Sequence, residues 1–382
     1  MNPFNMPGGF SGLPANFDFN ALLSGSDGPV NWEIARFIAL AMAGDSDQAS
    51  SWDDIAGEYA ELARAAEVQI TQYCGLSAPY LLTPVEVVSR SRWCEMNLDV
   101  FKPAMEPLAV KLAEAQSSAG SGADPFANLM AALSPMLMGT QTGMLVGFLS
   151  HHVLGRFSLQ MPPPENAKLV FVAENLEAAE RDLNVVPRDF KFWLAVHEVV
   201  RAIEYAQPGV REQFSRLSKA LVETVEIDTS NLENLQGLDP TDMESMQSIL
   251  EDPSKIMSSM SSPEQQAAAD EMTAFIELVE GFAEHVTGFI GTKGIPSLDE
   301  IQSAIEAKHS ERGDAEHMFQ QTVGFAPRGH NATLGRSFCD EVARREGPQA
   351  LARVWKDEEA RPSLEELELP DLWIDRTVGR RG

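Results

Sequence analysis

The residues best placed for chemistry sit in the run Phe192-Trp193-Leu194-Ala195-Val196-His197-Glu198-Val199-Val200-Arg201. A helix bearing His-Glu-x-x-His presents two imidazoles one turn apart to a zinc ion, and the glutamate beside the first acts as general base on the bound water. Here the fifth position is Arg201. A guanidinium has five donors and no acceptor, and it stays charged at every accessible pH, so it cannot ligate a metal. Two charges of a cation and one of an arginine about 4 Å apart, at an effective dielectric of about 20, repel by about 8 kcal/mol. The apolar residues ahead of His197 imply a buried helix, in which a His-Glu pair needs partners.

Other carboxylates and imidazoles are candidates by position. Glu204 lies two helical turns after His197, on the same face. In Glu277-Leu278-Val279-Glu280-Gly281-Phe282-Ala283-Glu284-His285, the residues Phe275, Phe282, Val286 and Phe289 form an apolar stripe. That stripe leaves Glu277, Glu280 and Glu284 opposite it, with His285 at its border. His151 and His152 are adjacent, point apart on a helix, and suit core or capping roles. His309, His317 and His330 fall in polar segments and read as surface residues. The sequence has no phosphate-cradling glycine loop, dinucleotide fingerprint or serine nucleophile elbow.

The elements that must hold these residues are mostly helical. Asn31 suits an N-cap for a helix with Trp32, Ala35, Ala39 and Met42 on one stripe, stopped at Gly44. From Trp52 to Tyr73 the set Ile55, Tyr59, Leu62, Ala66 and Ile70 keeps helical spacing, and Gly75 stands where a C-cap belongs. Pro84–Val88 and Leu169–Val172 are short strand candidates, the first followed by a helical region around Trp93 interrupted by Pro103 and Pro107. Asp189 is expected to cap a helix from Phe190 to about Tyr205, and a second helix spans Val210 to Val225. A long helix follows Pro263, Ser297 and Glu300 suggest a capping box, and further helices lie near Phe338, Val354 and Leu372-Trp373.

No Asp, Glu, Lys or Arg occurs between Asp124 and Arg156. Pro135, the Thr140-Gln141-Thr142 run and the glycines lower its hydropathy below that of a membrane span, so it reads as a buried, all-round apolar helix. Gly139, Gly143 and Gly147 make a ridge on it that allows close approach of another helix. Across the chain, 29 Lys and Arg against 57 Asp and Glu give a net charge of −28. That balance, without a basic patch, excludes a nucleic-acid partner. Three scattered cysteines and no secretion signal point to the cytoplasm.

Read in order, Gly28-Pro29-Val30-Asn31-Trp32, the Gly-rich uncharged helix, Pro187-Arg188-Asp189 leading to Trp193 and His197-Glu198, Gly237-Leu238-Asp239-Pro240, Ser262-Pro263-Glu264-Gln265, Val279-Glu280-Gly281-Phe282 and Leu372-Trp373 resemble one family over most of the chain. It is the actinobacterial zincin-like family of zinc-dependent metalloproteases or hydrolases. The resemblance implies a mainly α, zincin-like fold with a small β component. It implies an irregular arm over residues 1–28, a single domain over 29–376 with a lid or insert at 228–262, and a tail at 377–382. It carries over His197 as first ligand, Glu198 as general base and Glu280 as third ligand, all vestigial, because family members have histidine where this chain has Arg201. The expectation is a zinc-free pseudoenzyme with Arg201 as the site-occupying cation, acting through a peptide or protein partner. Two alternatives stay open. One is an active zinc metallopeptidase using His197, Glu280 and either Glu204 or His285, and the other is a helical interaction protein.

Overall fold

The computed structural model describes residues 28–44, 52–78, 84–119, 125–159, 161–164, 167–224, 262–311 and 333–379. The expected arm but for Gly28, the insert at 228–262 but for its last residue, His317, His330 and the last three tail residues lie outside them. The architecture is helix-rich with one small sheet, as the sequence implies.

Helix α1 (Trp32–Ala43) starts where Asn31 Oδ1 accepts the Ile34 amide at 3.0 Å, and it stops at Gly44, whose φ is 80°. Its core stripe is Ile34, Ala35, Ala39 and Ala43; Met42 is exposed. Helix α2 (Asp53–Cys74) ends on left-handed Gly75. Strand β1 (Glu86–Val88) leads into α3 (Arg90–Asn97), a short 3-10 turn and α4 (Lys102–Ala119). Both prolines expected to interrupt this region lie within α4. Pro103 is in the first turn, where no amide donor is needed, and Pro107 is accommodated one turn later at the loss of a single bond.

The uncharged stretch is α5 (Pro125–Ser150), packed lengthwise on α1. A Cβ on Gly143 would lie 2.5 Å from the Ala35 carbonyl oxygen, and one on Gly147 would lie 2.6 Å from Met42 Cβ. The glycine ridge is thus the α1 contact, while Met144 faces outward, so α5 is not buried all round. Among the described residues no helix is long and apolar enough to cross a membrane.

Strand β2 (Val170–Val172) pairs in parallel with β1, Val87 opposite Phe171. Its side chains alternate between two cores. Phe171 joins the larger, built by α2 and later helices, and Val170 and Val172 join the smaller, built by α1, α3, α4 and α5. On the other side of β2 the segment 154–156 is held by Arg156 N–H to Val170 O (2.9 Å) and Val172 N–H to Leu154 O (3.0 Å).

After α6 (Ala173–Asp182) comes α7 (Pro187–Tyr205), which begins at Pro187 rather than after Asp189. Asp189 is therefore not its N-cap; its carboxylate accepts the Ser297 hydroxyl at 2.8 Å and the Ser297 amide at 3.1 Å. Helix α8 (Val210–Thr224) precedes the long α9 (Pro263–Gly294), capped by Ser262. The rest is α10 (Leu298–Glu311), α11 (Thr333–Glu346), α12 (Pro348–Lys356), α13 (Leu364–Glu368) and α14 (Pro370–Thr377). Helix α9 crosses α11 at Gly281 and Gly335, where either Cβ would overlap the facing backbone. It also packs against α7, and that pair holds the candidate site.

Candidate functional site

Trp193, His197, Arg201 and Tyr205 follow one another at four-residue spacing on α7. The half-buried His197 ring stacks on Trp193 with centroids 5.5 Å apart, and the Arg201 guanidinium lies 5.5 Å from the Tyr205 ring centre. Arg201 is 1% exposed. Its Nη2 sits 2.6 Å from Glu280 Oε1 on α9 and donates to the Leu159 carbonyl at 3.2 Å, while Nε donates to the Phe157 carbonyl at 3.3 Å. Burial works against this charge, but Glu280, Tyr205, Glu204 and Glu198 outweigh it and hold the guanidinium firmly protonated.

Glu198 is fully buried and points at the segment beside β2. Its Oε1 accepts the Ser158 hydroxyl at 2.7 Å and its Oε2 accepts the Phe157 amide at 2.9 Å. Gly155 leaves the room for this carboxylate, since a Cβ there would overlap it. Burial pushes the Glu198 carboxyl up to about 7, although both hydrogen bonds and Arg201 favour its charged form. Among the described residues, Glu204, also fully buried, has no hydrogen-bond partner on either oxygen, and neither has Arg201 Nη1. Burial, with Glu280 adding and Arg201 opposing, pushes Glu204 well above the usual carboxylate range.

These positions bear directly on metal binding. Zinc needs three or four neutral or anionic donors around one point. Among the described residues no group of three His, Cys, Asp or Glu is arranged to hold a metal ion. A fixed cation is paired with the carboxylate proposed as third ligand, and the carboxylate proposed as base has both oxygens occupied. The residues present do not fit zinc. Glu198 and Glu280 are both drawn to Arg201 electrostatically, Glu280 by direct contact. Phe157, Ser158 and Leu159 complete the arrangement, and sequence reasoning missed them: they lie about 40 residues from their partners, and Gly155 was the one available signal.

The chain matches the zincin-like metallopeptidase family over residues 30–374. It belongs to that family. A solved structure described as a "putative hydrolase with a novel fold" from Chloroflexus aurantiacus is similar, with a TM-score of 0.62 at 25% identity, covering 92% of this chain and 100% of that one. No curated protein matches. In this member of the family, His285 lies away from the α7 contact. It stands about 140° around α9 from Glu280, where its Nε2 meets the Tyr73 hydroxyl at 2.7 Å and its Nδ1 meets Asp340 Oδ1 at 2.5 Å. His151 and His152 end α5 on backbone carbonyls, of Met42 and Phe148 respectively, each at 2.8 Å.

Proposed function

We propose that this zincin-like protein has lost zinc hydrolysis and acts by binding a peptide or protein partner. The observation that carries the reading is the buried Arg201–Glu280 ion pair of 2.6 Å at the fifth position of His-Glu-x-x-Arg. A permanent cation there repels a divalent ion and satisfies the carboxylate that would otherwise bind it. The hydrogen bonds from Ser158 and Phe157 to Glu198 add a second reason, because a general base must reach the water it deprotonates. His197, Glu198 and Glu280 are on this reading vestiges of a ligand and base set. Zinc would enter only in an active form with a rearranged ligand set, and no observation favours His197 with Glu280 and either Glu204 or His285. Three free, buried cysteines support a reducing compartment, and with it the cytoplasm.

The test is elemental analysis of protein purified without a histidine tag, alongside peptidase assays with and without chelator. Zinc well below one per chain, and no chelator-sensitive cleavage, is the expected result. Stoichiometric zinc together with a chelator-sensitive activity lost in Glu198→Gln would establish an active enzyme instead.

A further inference from the structure

Helix α5 presents three faces. Gly143 and Gly147 receive α1, and Met138, Leu145 and Val146 enter the smaller core. The third face carries Leu133, Leu137, Thr140, Met144 and Phe148, at successive spacings of four, three, four and four residues, which keeps them on one stripe along the helix. All five reach the surface, Met144 at 40% exposure, and among the described residues none of the four apolar ones belongs to or packs against either core. The Thr140 hydroxyl is turned back onto the Met136 carbonyl at 2.9 Å. Met42, 38% exposed at the end of α1 and set against Gly147, extends the stripe sideways.

A surface helix normally turns charged side chains outward. Of the whole chain 23% is charged, yet the 26 residues of α5 include no Asp, Glu, Lys or Arg. An apolar stripe at this spacing is the pattern by which one helix seats another. Charge selects the occupant. Two copies of a chain with net charge −28 repel each other, and an uncharged face is where they meet at least cost. Across a twofold axis a patch must complement itself; an apolar stripe does so, and a patch of one charge does not. Anionic membranes repel the chain, and α5 lacks the Lys and Arg of a helix that lies on a lipid surface.

We propose that the outward stripe of α5 seats the same stripe of a second copy, forming a symmetric homodimer with Leu137 and Met144 in the contact. The stripe is about 22 Å long at 1.5 Å per residue, which sets the dimer among the weak, transient ones. The proposal is independent of the α7–α9 site and of its metal content.

The test is sedimentation velocity on the full chain from about 1 to 300 μM, alongside Met144→Glu, Leu137→Gln and Val68→Glu. The parent should pass from 41.8 kDa towards twice that mass as concentration rises. Met144→Glu, a change at an exposed position, should melt like the parent and stay monomeric, because it places a carboxylate in the contact. Leu137→Gln, which adds no charge, should weaken the dimer severalfold. Val68, exposed on α2, is the control: glutamate there adds the same charge and should leave the dimer intact. Raising sodium chloride from about 0.05 to 0.5 M should tighten the dimer severalfold by screening the acidic repulsion. A parent that stays monomeric throughout, a dimer that survives both stripe variants, one that Val68→Glu abolishes equally, or one that salt weakens would each overturn the proposal. So would flotation of the parent, but not of Met144→Glu, with neutral phosphatidylcholine vesicles, which would assign the stripe to a lipid surface.

Discussion

Arg201 works as a brace: one buried side chain reaches a carboxylate on α9 and two carbonyls of the segment beside β2. Removing one side of a buried ion pair leaves the other charge unpaired, which costs about 3 to 5 kcal/mol. Glu280 retains 19% side-chain exposure, so Arg201→Ala should lose stability near the lower end of that range in urea or thermal unfolding. Melting like the parent would mean that Arg201 carries no structural weight. Glu198 gives a pH signature. Its carboxyl is raised from 4.5 to about 7 in the folded protein, so between those values the folded chain binds more protons than the unfolded chain. Stability from this group is therefore complete below about pH 4.5 and is lost as pH rises through about 7, a change of about 3 kcal/mol. Glu204, pushed up mainly by burial, acts in the same sense. Glu198→Gln, whose amide can still meet Ser158, should flatten the fall in stability between pH 5 and 8. An unchanged slope would mean that Glu198 is ionised throughout.

Elements with a local cause were legible in the sequence. Asn31 starts α1 by accepting the Ile34 amide and Gly75 ends α2 by donating to the Thr71 carbonyl, both within four positions, and Gly44 ends α1 with a positive φ; the structure has all three where the sequence puts them. Features set by distant partners were not legible. Asp189 looked like a cap, but its partner Ser297 is 108 residues away; Glu198 looked like a base, but Ser158 and Gly155 fix it from 40 residues upstream. Helix α5 falls between these cases, since its glycine ridge signalled close approach without naming α1 as the neighbour. Alanine at Gly143 should push α1 outward. A helix gains about 1 kcal/mol from Gly→Ala, but forcing a methyl to 2.5 Å from the Ala35 oxygen costs about 1 to 3 kcal/mol, so the net effect should be destabilising. Gly57, exposed in α2 with nothing within 4 Å of a built Cβ, provides the contrast: alanine there should stabilise by up to about 1 kcal/mol. Matched melting curves of the two variants check both signs, and equal shifts would mean that the ridge is not a contact.

At the scale of the whole molecule, the segment from Val153 to Leu159 passes between the two cores, with Phe157 in the larger and Val153 and Leu159 in the smaller. Glu198 and Arg201 hold its amide, hydroxyl and carbonyl groups from α7, so the residues proposed as vestigial base and site-occupying cation join the two halves of the fold. On the proposed reading, this predicts how the site responds when a histidine replaces Arg201. Arg201→His removes the brace and places a second imidazole one turn after His197, facing Glu280. Without metal the variant should melt below the parent. Zinc at about a hundred times its dissociation constant should then return about 2.7 kcal/mol, because an ion that binds only the folded chain stabilises it by mass action. The parent, with its guanidinium in the way, should not respond. Peptide hydrolysis should stay absent even in the zinc-loaded variant, since Glu198 still has Phe157 and Ser158 on its two oxygens. A variant that ignores zinc would separate Arg201 from any ligand position, and a variant that cleaves peptides would show that Glu198 leaves Ser158 readily enough to act as a base.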